Sequence, residues 1–142
     1  MNRLAGCGLV DSGGGLNPFT SRVMRSAIEL GLLEKQLTNL KSVYNKRKIA
    51  LSNALRELLP NSVSFVEPDG GFFIWLEFAD RIDTVKMLAA ARQHHVDFLP
   101  GIKFSSQNGL SNCARLSFAY FDIPELEEGV RRLAKVIKGY KV

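Results

Sequence analysis

The segment Cys113-Ala114-Arg115-Leu116-Ser117-Phe118-Ala119-Tyr120 alternates, and eight alternating residues admit little but a strand with two unlike faces. Ala114, Leu116, Phe118 and Tyr120 form an apolar row suited to a core. Cys113, Arg115, Ser117 and Ala119 form the opposite row, so Arg115 is aimed away from the bulky side chains and sits between small ones. A planar guanidinium with free space above the sheet can grip a carboxylate through two parallel hydrogen bonds. An arginine in an ordinary surface ion pair fits this octapeptide equally well.

Upstream, the pattern predicts helices first and short strands later. Asp11-Ser12-Gly13-Gly14-Gly15-Leu16-Asn17-Pro18 reads as a loop feeding a helix, with Asn17 as N-cap and Pro18 at the first helical position. Gly13, Gly14, Gly15 and Asn17 are candidate anion-binding residues, because a glycine-rich loop at a helix start presents free N–H groups; a plain hinge has the same composition. The helix runs from Phe19 to Leu30 and stops at Gly31. A longer one follows from about Leu33 to Leu59. Its stripe of Leu33, Leu37, Leu40, Tyr44, Leu51, Leu55 and Leu58 leaves Lys41, Lys46, Lys48 and Glu57 outside, and its length suggests a bridge between two bodies.

The strands come next. Val63–Val66 leads through the turn Glu67-Pro68-Asp69-Gly70 to Gly71–Phe78, apolar on both faces and so expected to be buried on both, with Trp75 as a core residue. Asp83 or Thr84 opens a helix to about His94, carrying Val85, Leu88 and Ala91 or Arg92 at helical spacing. Val96–Leu99 is a short strand, and Ser105–Asn112 is a polar loop before the Arg115 strand. A final helix starts near Pro124 with Asp122 as its cap and Leu126, Val130, Leu133 and Ile137 as its buried stripe. The expected fold is α+β: a two-layer small domain whose mostly antiparallel sheet is covered by helices on one face, preceded by the long bridging helix.

Composition narrows the function classes. With 142 residues and 46% hydrophobic content the chain can bury a core, and its net charge of +5 is dispersed rather than gathered into a nucleic-acid groove. No apolar run approaches a membrane span, and no secretory signal precedes the glycine-rich loop, so cytoplasm is the expected location. Cys7 and Cys113 are far apart and are expected to be reduced; His94-His95 has no partner at metal-ligand spacing.

Several motifs in order resemble the C-terminal segment of a fold-type I, class I/II pyridoxal-phosphate-dependent aminotransferase. They are Pro68-Asp69-Gly70-Gly71-Phe72-Phe73-Ile74-Trp75-Leu76, then Val96-Asp97-Phe98-Leu99-Pro100-Gly101 with Phe104, then Ala114-Arg115-Leu116-Ser117-Phe118, then a closing helix. The resemblance implies that residues 1–32 are a remnant of the large cofactor-binding domain and residues 33–142 are the small domain. It implies that Arg115 binds the substrate α-carboxylate and that Pro100, Gly101 and Phe104 border the pocket. Amino acids and 2-oxo acids are the implied substrates, pyridoxal phosphate the cofactor and a homodimer the parent assembly. The family's cofactor-holding lysine, its aspartate and its phosphate cup are not recognisable, so no catalytic residue is assigned and the segment alone is expected to be inactive. The alternative is a stand-alone, non-catalytic module that binds a carboxylate or a protein.

Overall fold

The computed structural model describes residues 17–140. Two compact units divide the chain, Met1–Lys41 and Ser42–Val142.

In the first unit, helix α1 (Pro18–Glu29) begins as the sequence predicts: the Asn17 side chain accepts the Thr20 N–H at 3.0 Å, and proline stands in the first turn. It ends where Gly31 takes φ +69°, a left-handed conformation that glycine adopts without a Cβ penalty. No residue of α1 is buried. Helix α2 (Leu32–Leu58) follows, and the division between the units falls within it.

The second unit is the α+β domain. Its elements are the rest of α2, β1 (Val63–Phe65), β2 (Phe73–Phe78), α3 (Thr84–Gln93), β3 (Leu99–Pro100), a 3₁₀ turn (Gly101–Phe104), β4 (Cys113–Ser117) and α4 (Ile123–Gly139). The sheet order is β1-β2-β4-β3 with every pair antiparallel. Proline lacks a donor for the ladder, and Pro100 accordingly sits on an edge strand. Ile74, Leu76 and Phe78 face the helices and pack with Leu55, Met87, Leu133 and Phe118 into one core.

Each helix docks through a face that its sequence dictates. Asp122 and Glu125 cap α4 reciprocally, each side chain accepting the other residue's backbone N–H at 3.0 Å, and Leu126, Val130, Leu133 and Val136 are buried behind that cap. Asp83 caps α3 through the Val85 and Lys86 amides. The buried stripe of α3 is Thr84, Met87 and Ala91, with Leu88 partly buried against the core; the expected Val85 is exposed, and the Thr84 hydroxyl instead turns inward to donate to the Ser111 carbonyl at 2.8 Å. Glu67 joins Lys48 and Arg56 of α2, at 3.3 and 2.6 Å, and so ties the turn before β2 to the helix. Those cations, Arg56 foremost, hold the Glu67 carboxyl below its ordinary range.

Three strand expectations need correction. β2 is not buried on both faces: Ile74, Leu76 and Phe78 are inside, while Phe73 and Glu77 are exposed and Trp75 is half-buried. The apolar row of the Arg115 strand stops early. Phe118 is buried and its N–H still bonds the Phe72 carbonyl, but the chain then turns and Tyr120 is 84% exposed. The turn is held by Arg47, whose Nη1 donates to the Ala119 carbonyl at 2.6 Å. Finally, the expected Val96–Leu99 strand is reduced to Leu99–Pro100, because the Val96 N–H is taken by the Ala91 carbonyl at the end of α3.

Candidate functional site

The open face of the sheet is set by register. Trp75, Arg115 and Leu99 lie directly opposite one another across β2, β4 and β3, so all three point the same way. Phe73 stands opposite Ser117, and Glu77 opposite Cys113. The core-facing partners of the same strands are Leu76, Ala114 and Pro100, whose side chains fill the other layer.

Arg115 is the centre of this face. Its guanidinium carbon lies 3.8 Å from the centroid of the Phe73 ring and 4.5 Å from that of Phe104. Its Nε is buried without a hydrogen-bond partner, and no described residue offers it a carboxylate within ion-pair range. Phe104 arrives from the 3₁₀ turn and meets Trp75 edge-on, with centroids 5.6 Å apart and planes at 76°. Trp75 is therefore a wall of the site and not the core residue its sequence context suggests.

The turn that delivers Phe104 depends on Gly101. A Cβ there would meet the Leu110 carbonyl oxygen, and it would lie 2.7 Å from Cys113 Cβ and 3.0 Å from the Cys113 carbonyl. Only glycine lets the turn press this closely on β4. The loop after it is folded on itself, Ser105 Oγ accepting the Gln107 and Gly109 amides at 3.2 and 2.9 Å.

Cys113 completes the lower part of the site. Burial raises its thiol pKa first and the Glu77 charge raises it further, against a smaller lowering by Trp75. The thiol is thus held protonated and inert. Site-resolved alkylation with iodoacetamide at pH 8 is expected to label Cys113 at least about tenfold more slowly in the native chain than in urea. Equal rates would contradict the burial.

No family model matches the chain. Individual proteins do. An aromatic-amino-acid aminotransferase from Thermococcus litoralis is 34% identical over 122 residues, which take in 86% of this chain and 29% of the relative. A kynurenine aminotransferase from Pyrococcus horikoshii, crystallised in complex with PMP, superposes with a TM-score of 0.77 at 37% identity, over 82% of this chain and 29% of that one. An alpha-aminoadipate aminotransferase from Thermus thermophilus, complexed with N-(5'-phosphopyridoxyl)-L-leucine, gives a TM-score of 0.74 at 33% identity, over 75% and 28%. Over most of its length the chain is similar to aminotransferases. What it matches is the C-terminal small domain of these enzymes, and it spans under a third of their length.

Within this aminotransferase-like segment the residues singled out from sequence have separate fates. Arg115 and Phe104 are brought together. Gly101 shapes the turn from below, and Pro100 faces the core opposite Ala114, so it does not line the open face. Asn17 caps α1 in the other unit, while Gly13, Gly14, Gly15 and Cys7 lie outside the described residues. Phe73 and Trp75 are the residues that sequence reasoning missed. The open rows of the sheet hold Ser64, Phe73, Trp75, Glu77, Leu99, Cys113, Arg115 and Ser117, with neither a lysine nor an aspartate. That donor set does not fit pyridoxal phosphate; its one cation, Arg115, fits a carboxylate. Among the described residues no cluster of three metal-ligating side chains occurs, and no helix is long and apolar enough to cross a membrane.

Proposed function

We propose that this chain supplies the substrate-carboxylate clamp of a pyridoxal-phosphate-dependent aminotransferase, which moves an amino group between an amino acid and a 2-oxo acid. The observation that carries the reading is the state of Arg115: a half-buried guanidinium among aromatic rings, on an interior strand, with no carboxylate partner among the described residues. A charge taken partly out of water and left unpaired is costly, so such an arginine is a binding group whose anion comes from outside. The α-carboxylate is what every amino acid and 2-oxo acid shares.

Two parallel N–H···O bonds place that carboxylate in the plane of the guanidinium and so fix the directions of the other groups on Cα. The aromatic wall keeps water from the back of the cation. When bound, pyridoxal phosphate supplies the electron sink for amino transfer, and residues other than those of the open face would hold it. We assign residues 1–32 to the end of the large cofactor-binding domain and 33–142 to the small domain of a cytoplasmic homodimer.

The intact mass of the endogenous polypeptide tests this reading. A longer product with a cofactor-bound lysine upstream supports it, whereas a native product of 142 residues favours the stand-alone binding module. The isolated chain is expected to give no detectable transamination of L-phenylalanine with 2-oxoglutarate in the presence of added pyridoxal phosphate, because it presents a clamp without the cofactor-holding lysine. Turnover by that chain would overturn the assignment.

A further inference from the structure

We propose that Phe73 and Phe104 are positioning residues that fix the guanidinium of Arg115 before any ligand arrives and leave its donors free. The proposal rests on the reading of Arg115 as the carboxylate-binding group and adds two residues to it. An arginine on an open sheet face has a long, mobile side chain and falls readily onto a nearby anion. Glu77 is such an anion: it shares the face and is two residues along β2 from Trp75, the direct partner of Arg115. A side chain at that diagonal lies within reach of a long partner, at roughly 7–8 Å between backbones.

The rings prevent that outcome. The guanidinium carbon stands over both, at 3.8 and 4.5 Å from their centroids, and the faces of aromatic rings attract a cation while accepting none of its in-plane N–H donors. A carboxylate would hold the plane by occupying the fork; rings hold it and leave the fork open. The two rings are anchored differently. Phe73 belongs to interior strand β2, while Phe104 ends the 3₁₀ turn and is braced edge-on by Trp75. Both are only partly covered, at 40% and 44% exposure, so their replacement leaves the core intact.

The test follows the Arg115 Nε–Hε resonance of the full 142-residue chain by NMR, with 3-phenylpropionate as the carboxylate probe. In Phe73→Leu and in Phe104→Leu the ring-current shift of Hε should diminish, its exchange with water should quicken by about tenfold, and the probe Kd should rise several-fold. Phe73→Tyr and Phe104→Tyr, which keep a ring face, should restore the wild-type values. A wild-type Hε shift and exchange rate in either leucine variant, with the amide spectrum of the folded chain, overturns the proposal. Arg115→Gln separates the two ideas. If it binds the probe as well as wild type, the carboxylate reading fails, while the Hε signature of the leucine variants still decides the positioning role.

Discussion

Replacing Arg115 with alanine in the complete enzyme is expected to lower kcat/KM for the amino-acid half-reaction by about a hundred- to a thousandfold, with cofactor affinity unchanged. Truncating one partner of a desolvated, hydrogen-bonded charge pair costs roughly 3–4 kcal/mol, and each 1.4 kcal/mol is a factor of ten. The loss should be selective because the open face offers the substrate a cation and the cofactor neither lysine nor aspartate. Arg115→Lys should recover only part of it, since an ammonium keeps the charge and loses the planar fork. Steady-state kinetics with separate cofactor titration checks both statements. A parallel fall in cofactor affinity would remove Arg115 from the substrate's side of the site.

The second large effect is structural. Gly101→Ala is expected to destabilise the second unit by about 3 kcal/mol, the upper part of the range for forcing extra volume into a packed site. Two of the three atoms that the new methyl would meet are main-chain carbonyl oxygens, of Leu110 and Cys113, and neither can rotate aside. Urea unfolding followed by the fluorescence of the lone Trp75 measures this; with a slope of about 2 kcal/mol per molar, the midpoint should fall by about 1.5 M. Gly70→Ala is the control. Nothing lies within 4 Å of a Cβ at Gly70, and the change should stay within about 0.5 kcal/mol of wild type. A wild-type midpoint for Gly101→Ala would mean that the turn can lift off β4, and Phe104 with it.

The fold was legible wherever one side-chain period served one purpose. Helix α4 has a cap, an apolar stripe and nothing else to do, and its start and its face follow from Asp122, Glu125, Leu126, Val130 and Leu133. The element order and the antiparallel sheet were legible for the same reason. β2 misled because its aromatic residues serve two masters. Ile74 and Leu76 pack the core, whereas Phe73 and Trp75 surround a cation, and both kinds look equally apolar in a one-letter string. Nothing local to Gly71–Phe78 records that an arginine about 40 residues later in the chain lies across from it.

The site was legible at its centre and not at its edges. Alternation alone set Arg115 apart from the core row, but the partners that define its state come from a strand and a turn elsewhere in the chain. Tyr120 shows the limit of alternation: the octapeptide keeps its period to the end, yet strand β4 ends at Ser117, the last bond to the neighbouring segment is that of the Phe118 N–H, and Arg47 takes the Ala119 carbonyl that a longer strand would use. Pro100, which the resemblance set at the border of the pocket, pairs with Ala114 on the core side of the sheet, one residue along from Leu99 on the open face.

The position of β4 between β2 and β3 divides the labour of the site by stiffness. A backbone bonded on both flanks yields only when the sheet itself comes apart, so the cation is carried by one of the last parts of the domain to loosen. Phe104 hangs from a short turn at the sheet's rim, where the edge-on Trp75 ring braces it. The charge and the Phe73 ring over it are thus held by the sheet, while the Phe104 ring is held by the turn.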